Sequence, residues 1–207
     1  MILTVSSNTS DMDDQQLRYH HGDLPRAIVA AALEEIAVHG PQGLSLRAVA
    51  RRAGVSHAAP AHHFGDKAGV LSAVAAEGWG LLAEQTAAPV EADGSVVEVG
   101  RAYLRFALTH QAHFSVMFRP ELYRSDDPAV VAARDKAGEV LFGVVGTALG
   151  PDASDETIWS AVVAAWSMTH GFATLWLGGN FYPEVGADPE AALAAAARAF
   201  VAMMRSN

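Results

Sequence analysis

Three of the nine histidines of this 207-residue chain, His57, His62 and His63, fall within seven positions of one another. Two more, His110 and His113, stand one helical turn apart. Clustered imidazoles can hold a metal, move protons or meet a nucleic acid. A metal asks for ligands three or four apart on one helix face, with a further ligand to complete the set. His62 and His63 are adjacent and project about 100° apart on a helix, and His57 stands five positions from His62. His110 and His113 have suitable spacing but no third ligand nearby in sequence. No metal site is expected.

Catalysis fares no better. The chain has no G-x-S-x-G, no P-loop, and no strand leading into a G-x-G-x-x-G. It has no cysteine, so thiol nucleophiles, disulfides and cysteine-ligated zinc are excluded. The expectation is a protein without enzyme activity and without a cofactor.

Charge points elsewhere. The net charge of −9 argues against a surface that coats nucleic acid all over. Its distribution is uneven: residues 15–67 hold six of the fourteen Lys/Arg, four of the twenty-three acids and six of the nine histidines. The N-terminal third is the anion-facing part.

The elements that would position these groups are helices. Alanine-rich stretches with helical spacing predict an all-α protein with no sheet. Residues 1–16 lack a basic n-region and start with only five apolar residues, so they read as a disordered tail and not a signal peptide; Met12 offers an alternative start. A first helix is expected over Leu24–Val38, capped by Asp23, with Ile28, Ala31, Ala32, Leu33, Ile36 and Ala37 inward. Ser45 caps a short helix through Ala53, Gly54 breaks it, and Ser56 caps a third helix through His63. Asp66 caps a long helix to about Gln85, and Thr86–Ser95 reads as a linker. Later helices are expected up to Ala112, then over Pro128–Leu149, Ser154–Leu177 and Pro189–Met204. The apolar run Ile158–Leu177 is too interrupted for a membrane span and fits a buried helix.

Helix, short helix, glycine turn, short helix is a helix-turn-helix pattern, with Leu46, Val49, Ala53, Val55 and Phe64 holding the last two at a fixed angle. In that arrangement the last helix enters the major groove. Ser56, His57, Ala58 and Ala59 occupy its tip, and His62 and His63 lie one turn along. Ser45, Arg47 and Lys67 suit phosphate contacts at helix starts.

From Arg18 to Val74, the run through "GLSLRAVARRAGVS" to "HFGDK" resembles the DNA-binding domain of the TetR family of transcriptional regulators without a gap. "AWSMTHGFATL", Ala165–Leu175, is similar to the Trp-x-x-x-His-Gly signature of one C-terminal subclass, and "HFSVMFRPEL" fits the same subclass. The resemblance implies a homodimer whose recognition helices read a palindromic operator, with a helical domain that binds a small effector. It also exposes a departure. The family carries a phosphate-touching tyrosine two residues before the His-Phe pair, and this chain has Ala61 there, after Pro60. Loss of that contact is expected to weaken binding, and Pro60 to remove an N–H near the helix start.

The expected domains are a helix-turn-helix domain over 17–66 and an effector-binding and dimerisation domain over 67–207. Trp79, Phe106, His110, Phe114, Met117, Phe142, Trp166 and His170 are the expected effector-site residues, His110 and His170 its polar anchors; plain core packing is the competing account of each. Dimerisation is expected through the last two helices. The combined reading is a cytoplasmic repressor with double-stranded operator DNA, a small molecule and a second copy of itself as partners, and no membrane. The alternative is a helical small-molecule or metal-sensing protein with weak or lost DNA binding.

Overall fold

The computed structural model describes the backbone of residues 10–92 and 95–205, and side chains within 24–90 and 95–199. It is all-helical among the described residues. The order is α1 (Ser10–His39), α2 (Leu46–Ala53), α3 (Ala59–Phe64), α4 (Lys67–Ala92), α5 (Val96–Thr109), α6 (Gln111–Met117), α7 (Pro128–Leu149), α8 (Asp155–Leu177) and α9 (Pro189–Arg205), with short 3-10 turns at Pro120–Leu122 and Pro183–Val185.

The helix-turn-helix forms for the anticipated reasons. Gly54 ends α2 at φ 68, a left-handed conformation that a side chain would strain. Val49 is fully buried, and Leu46, Ala53, Val55 and Phe64 pack against the same core. Asp66 caps α4, accepting the Gly69 N–H at 2.9 Å.

Several boundaries differ from expectation. α1 begins at Ser10 and not Leu24, so Asp23 is no cap and Pro25 lies inside the helix. Of the anticipated tail, residues 1–9 lie outside the described residues, and 10–16 are helical backbone. Ala37 is exposed, while the other inward positions of α1 are buried or half-buried. α3 starts at Ala59, capped by Ala58, because Ser56 instead closes a turn through its carbonyl to Ala59 N at 3.0 Å. Pro60 therefore sits in the first turn, where its missing N–H costs nothing.

α4 continues through most of the anticipated linker, with Pro89 inside it. Val90 explains why: it packs on a second core cluster formed by Val99, Val144, Val145, Ile158 and Val162. α5 stops at Thr109, because His110 leaves helical geometry at φ −116, ψ 46, and α6 is a separate helix. α8 is not buried all round: Ile158, Val162, Phe172 and Ala173 face inward, whereas Trp159, Val163, Trp166 and Leu175 are exposed. No described helix is long and apolar enough to cross a membrane.

The main core runs from Ile28 in α1 through Val70, Leu71 and Val74 in α4 to Phe106, Phe172 and Leu193.

Candidate nucleic-acid interface and effector cleft

The side chains singled out for DNA lie on three connected elements: Ser45 and Arg47 at the start of α2, residues 56–63 in and before α3, and Lys67 at the start of α4. α3 packs against both α2 and α4. Pro60 is its one buried side chain; Ser56, His57, Ala58, Ala61, His62 and His63 are exposed, and Ala59 is half-buried. The His62 and His63 rings meet edge-on at 5.4 Å, and His63 leans on Phe64 at 6.5 Å. Neither histidine, nor His57, pairs with a carboxylate among the described residues. No group of three or more metal-type ligands occurs among those residues either.

The arginines separate by role. Arg52 is turned back onto α1: Nε and Nη2 donate to Glu35 Oε1 at 3.0 and 2.8 Å, and Nη1 donates to Glu34 Oε2 at 2.9 Å. Glu35 is 3% exposed, so this arginine neutralises a buried carboxylate. Arg47 and Arg51 are exposed and make no ion pair among the described residues. Lys67 is half-buried, and its ammonium donates to the Gln42 carbonyl at 2.5 Å, so part of its donor capacity is already used.

In the C-terminal half, α4, α5, α7, α8 and α9 surround a cleft of about 1520 Å³. Its wall is largely apolar, with Arg134, Asp135 and Glu139 of α7 among its few charged lining residues. Of the eight anticipated residues, Trp79, Met117, Phe142 and Trp166 line it, and Phe106, His110, Phe114 and His170 do not. Phe106 is fully buried core. The break at His110 turns the start of α6 toward α1 and α4. His110 Nε2 lies 3.0 Å from Gln85 Nε2, and the ring stacks on Phe106 at 5.2 Å. His113, 5% exposed, sits 3.1 Å from Glu77 Oε1. Both histidines line a separate, smaller cavity against Leu33 and Ala37.

His170 stands directly behind the cleft wall. Its Nδ1 is 2.8 Å from the hydroxyl of Tyr103, which lines the cleft, and its ring lies 4.4 Å from Phe118 and 5.4 Å from Phe114. Burial pushes the imidazole of His170 down and the phenol of Tyr103 up. The pair is thus uncharged, joined by one hydrogen bond inside an aromatic box. The Trp79 indole N–H is buried beside Phe118 with no acceptor among the described residues.

Sequence reasoning missed Tyr103 and the segment Tyr123–Arg124. The partner of Tyr103 is 67 positions away, and no local spacing reports such a pair. Its place one turn before Ala107 on the buried face of α5 was the only available signal.

Comparison with known proteins agrees with this geometry. Residues 28–74 match the model of the bacterial regulatory proteins of the tetR family, and residues 96–200 match the tetracyclin repressor-like C-terminal domain. None of the curated proteins matches the sequence. Among solved structures, a protein with unknown function from Rhodococcus sp. RHA1 is 32% identical with a TM-score of 0.73, over 88% of this chain and 95% of that one. The TetR family transcriptional regulator PfmR from Thermus thermophilus is 23% identical with a TM-score of 0.61, over 81% and 93%. AibR, solved in complex with isovaleryl coenzyme A and operator DNA, is 22% identical with a TM-score of 0.53, over 84% and 95%. The last two likenesses concern the fold.

Proposed function

This chain belongs to the TetR family of DNA-binding transcriptional regulators, and from that premise we propose that it is a cytoplasmic homodimeric repressor, without enzyme activity, that leaves a palindromic operator when a small molecule enters its cleft. Residues 17–66 do the reading and 67–207 the sensing and dimerisation, behind a tail at 1–16.

The observation that carries the reading is α3. It fully buries Pro60 alone and, with His57 just before it, offers His62 and His63 outward, free of carboxylate partners among the described residues. Arg47 flanks it without an ion pair, as a phosphate contact requires. Alanine reads no more than thymine methyls, so His57 and His62, with help from Arg47, carry the base discrimination. The apolar cleft supplies the second half, as a site for a mostly apolar effector. AibR, which shares the fold, has been solved in complex with isovaleryl coenzyme A and operator DNA, so this fold can take both kinds of partner. Effector binding favours a spacing of the two recognition helices that no longer fits major grooves about 34 Å apart.

The test is selection of duplexes from a random DNA library by the full-length protein, followed by gel shift at two salt concentrations. An inverted repeat whose affinity falls with salt is expected, and His57→Ala should flatten discrimination among half-site variants. Failure to enrich any sequence rejects the regulator reading. Unchanged discrimination in His57→Ala removes His57 from base readout.

A further inference from the structure

A joint lies behind α3 that no local sequence pattern announces. Arg124 follows the short turn after α6, and its guanidinium spans the junction of α3 and α4. Nη2 pairs with Asp66 Oδ1 at 2.9 Å, and Nη1 reaches the carbonyl of Phe64, the last residue of α3, at 3.4 Å. The backbone N–H of Arg124 donates to Ser72 Oγ at 3.0 Å, and Ser72 is buried on α4. Asp66 also accepts the Gly69 N–H, and that bond, followed by the guanidinium, holds its carboxyl below the usual range. A Cβ at Gly69 would collide with the Phe64 carbonyl oxygen, so the close approach of the end of α3 to α4, at the carbonyl that Arg124 also meets, is built into the glycine.

The other end of this segment is the cleft wall. Tyr123, 8% exposed, lines the cleft together with Met117, Phe118 and Pro120. Its hydroxyl donates to the Met117 carbonyl at 2.8 Å, tying the segment to the end of α6. A wall residue and a clamp residue are therefore neighbours in the chain.

We propose that Arg124 is the positioning residue of the recognition helix, and that through Tyr123 it carries the state of the cleft wall to α3. This rests on the regulator reading above. α3 has six residues, and only Pro60, Ala59 and Phe64 contact the core, Pro60 alone being fully buried, so a constraint at its C-terminal end matters to its orientation. Hydrogen bonds to a charged donor at that end supply the constraint. The Arg124–Asp66 pair is largely exposed, so it contributes little to global stability. Its effect is on orientation.

The test uses full-length protein carrying Arg124→Ala, Asp66→Asn, which keeps a cap acceptor for Gly69, or Arg119→Ala as an exposed control. Hydrogen exchange is read at the amides of His62 and Gly65, which bond to the Ala58 and Ala61 carbonyls at 2.9 Å. Exchange there should quicken about 3- to 10-fold in the first two variants and stay unchanged in the control, with similar melting temperatures. Gly138→Trp, or Ala165→Phe as a second variant, then fills the cleft from positions on its lining. Filling should shift exchange at the same amides, and the shift should vanish when Arg124→Ala is added. Exchange in Arg124→Ala equal to that of the control, absence of any shift on filling, or a shift that survives without Arg124 overturns the proposal. Failure of the protein to select DNA rejects the regulator reading alone, since the exchange experiment judges Arg124 without DNA.

Discussion

Ala61 sits exposed in the middle of the outward face of α3, where the family resemblance places a phosphate-touching tyrosine. Nothing in the packing forbids the larger residue. Ala61→Tyr should tighten binding to the selected DNA and steepen its salt dependence by about one unit of slope; an unchanged slope means that the ring finds no phosphate. The buried His113 and the half-buried His170 make a second residue-level statement. Burial is the largest influence on both His113 and His170 and lowers them, although Glu77 opposes it at His113. The unfolded chain takes up these protons at the ordinary value of 6.5, before the folded one does, so stability is complete above that pH and declines as pH falls below it. Asp66 and Glu190, both lowered, add a further loss in the more acidic carboxylate range. The denaturation midpoint should therefore drop between about pH 7.5 and 5.5, less so in His170→Gln. A midpoint that rises on acidification contradicts the assignment.

Among the elements, α2 separates a structural arginine from one proposed to contact DNA. Arg52 covers the buried Glu35 at 2.8 Å, and its removal strands a carboxylate. Because Glu35 is buried, Arg52→Ala should lower the urea denaturation midpoint measurably. Arg47→Ala should change stability by less than about 0.5 kcal/mol while weakening DNA binding. Urea denaturation set beside gel shift distinguishes them, and equal stabilities would show that Glu35 is solvated. The same elements show what a chain can disclose before folding. The helix-turn-helix was legible because its determinants are local: Gly54 as a stop, Asp66 as a cap, and an apolar position every third or fourth residue. α4 was cut short in the sequence reading because Pro89 is a local breaker, and the reason it does not break the helix, burial of Val90 against α5, α7 and α8, is tertiary. Two of the four anticipated residues that missed the cleft, His110 and Phe114, did so for a related reason: the irregular His110 starts α6 in a new direction. Phe106 went to the core and His170 to the layer behind the wall, placements set by tertiary packing.

For the whole molecule, α8 leaves Val163 exposed between Trp159 and Trp166, two exposed residues that also line the cleft. The proposed homodimer would cover apolar surface of that kind. If its interface runs over Val163, Val163→Asp should raise the dimer dissociation constant roughly 100-fold by placing a charge in the contact. Sedimentation equilibrium reads this directly, and an unaffected dimer moves the interface elsewhere.

The continuous core has a further consequence. Ile28 of the reading half and Phe172 and Leu193 of the sensing half belong to one apolar cluster, joined through Val70, Leu71 and Val74 of α4. The proposed division at residue 66 is one of tasks, with no seam in the packing. A chimera made by splicing there would pair an α4 shaped for one α1 with a different α1 and leave its apolar row poorly matched. Exchange of specificities between such regulators should therefore transplant α1 to α4 as a block, together with the 117–124 segment that grips the far end of α3.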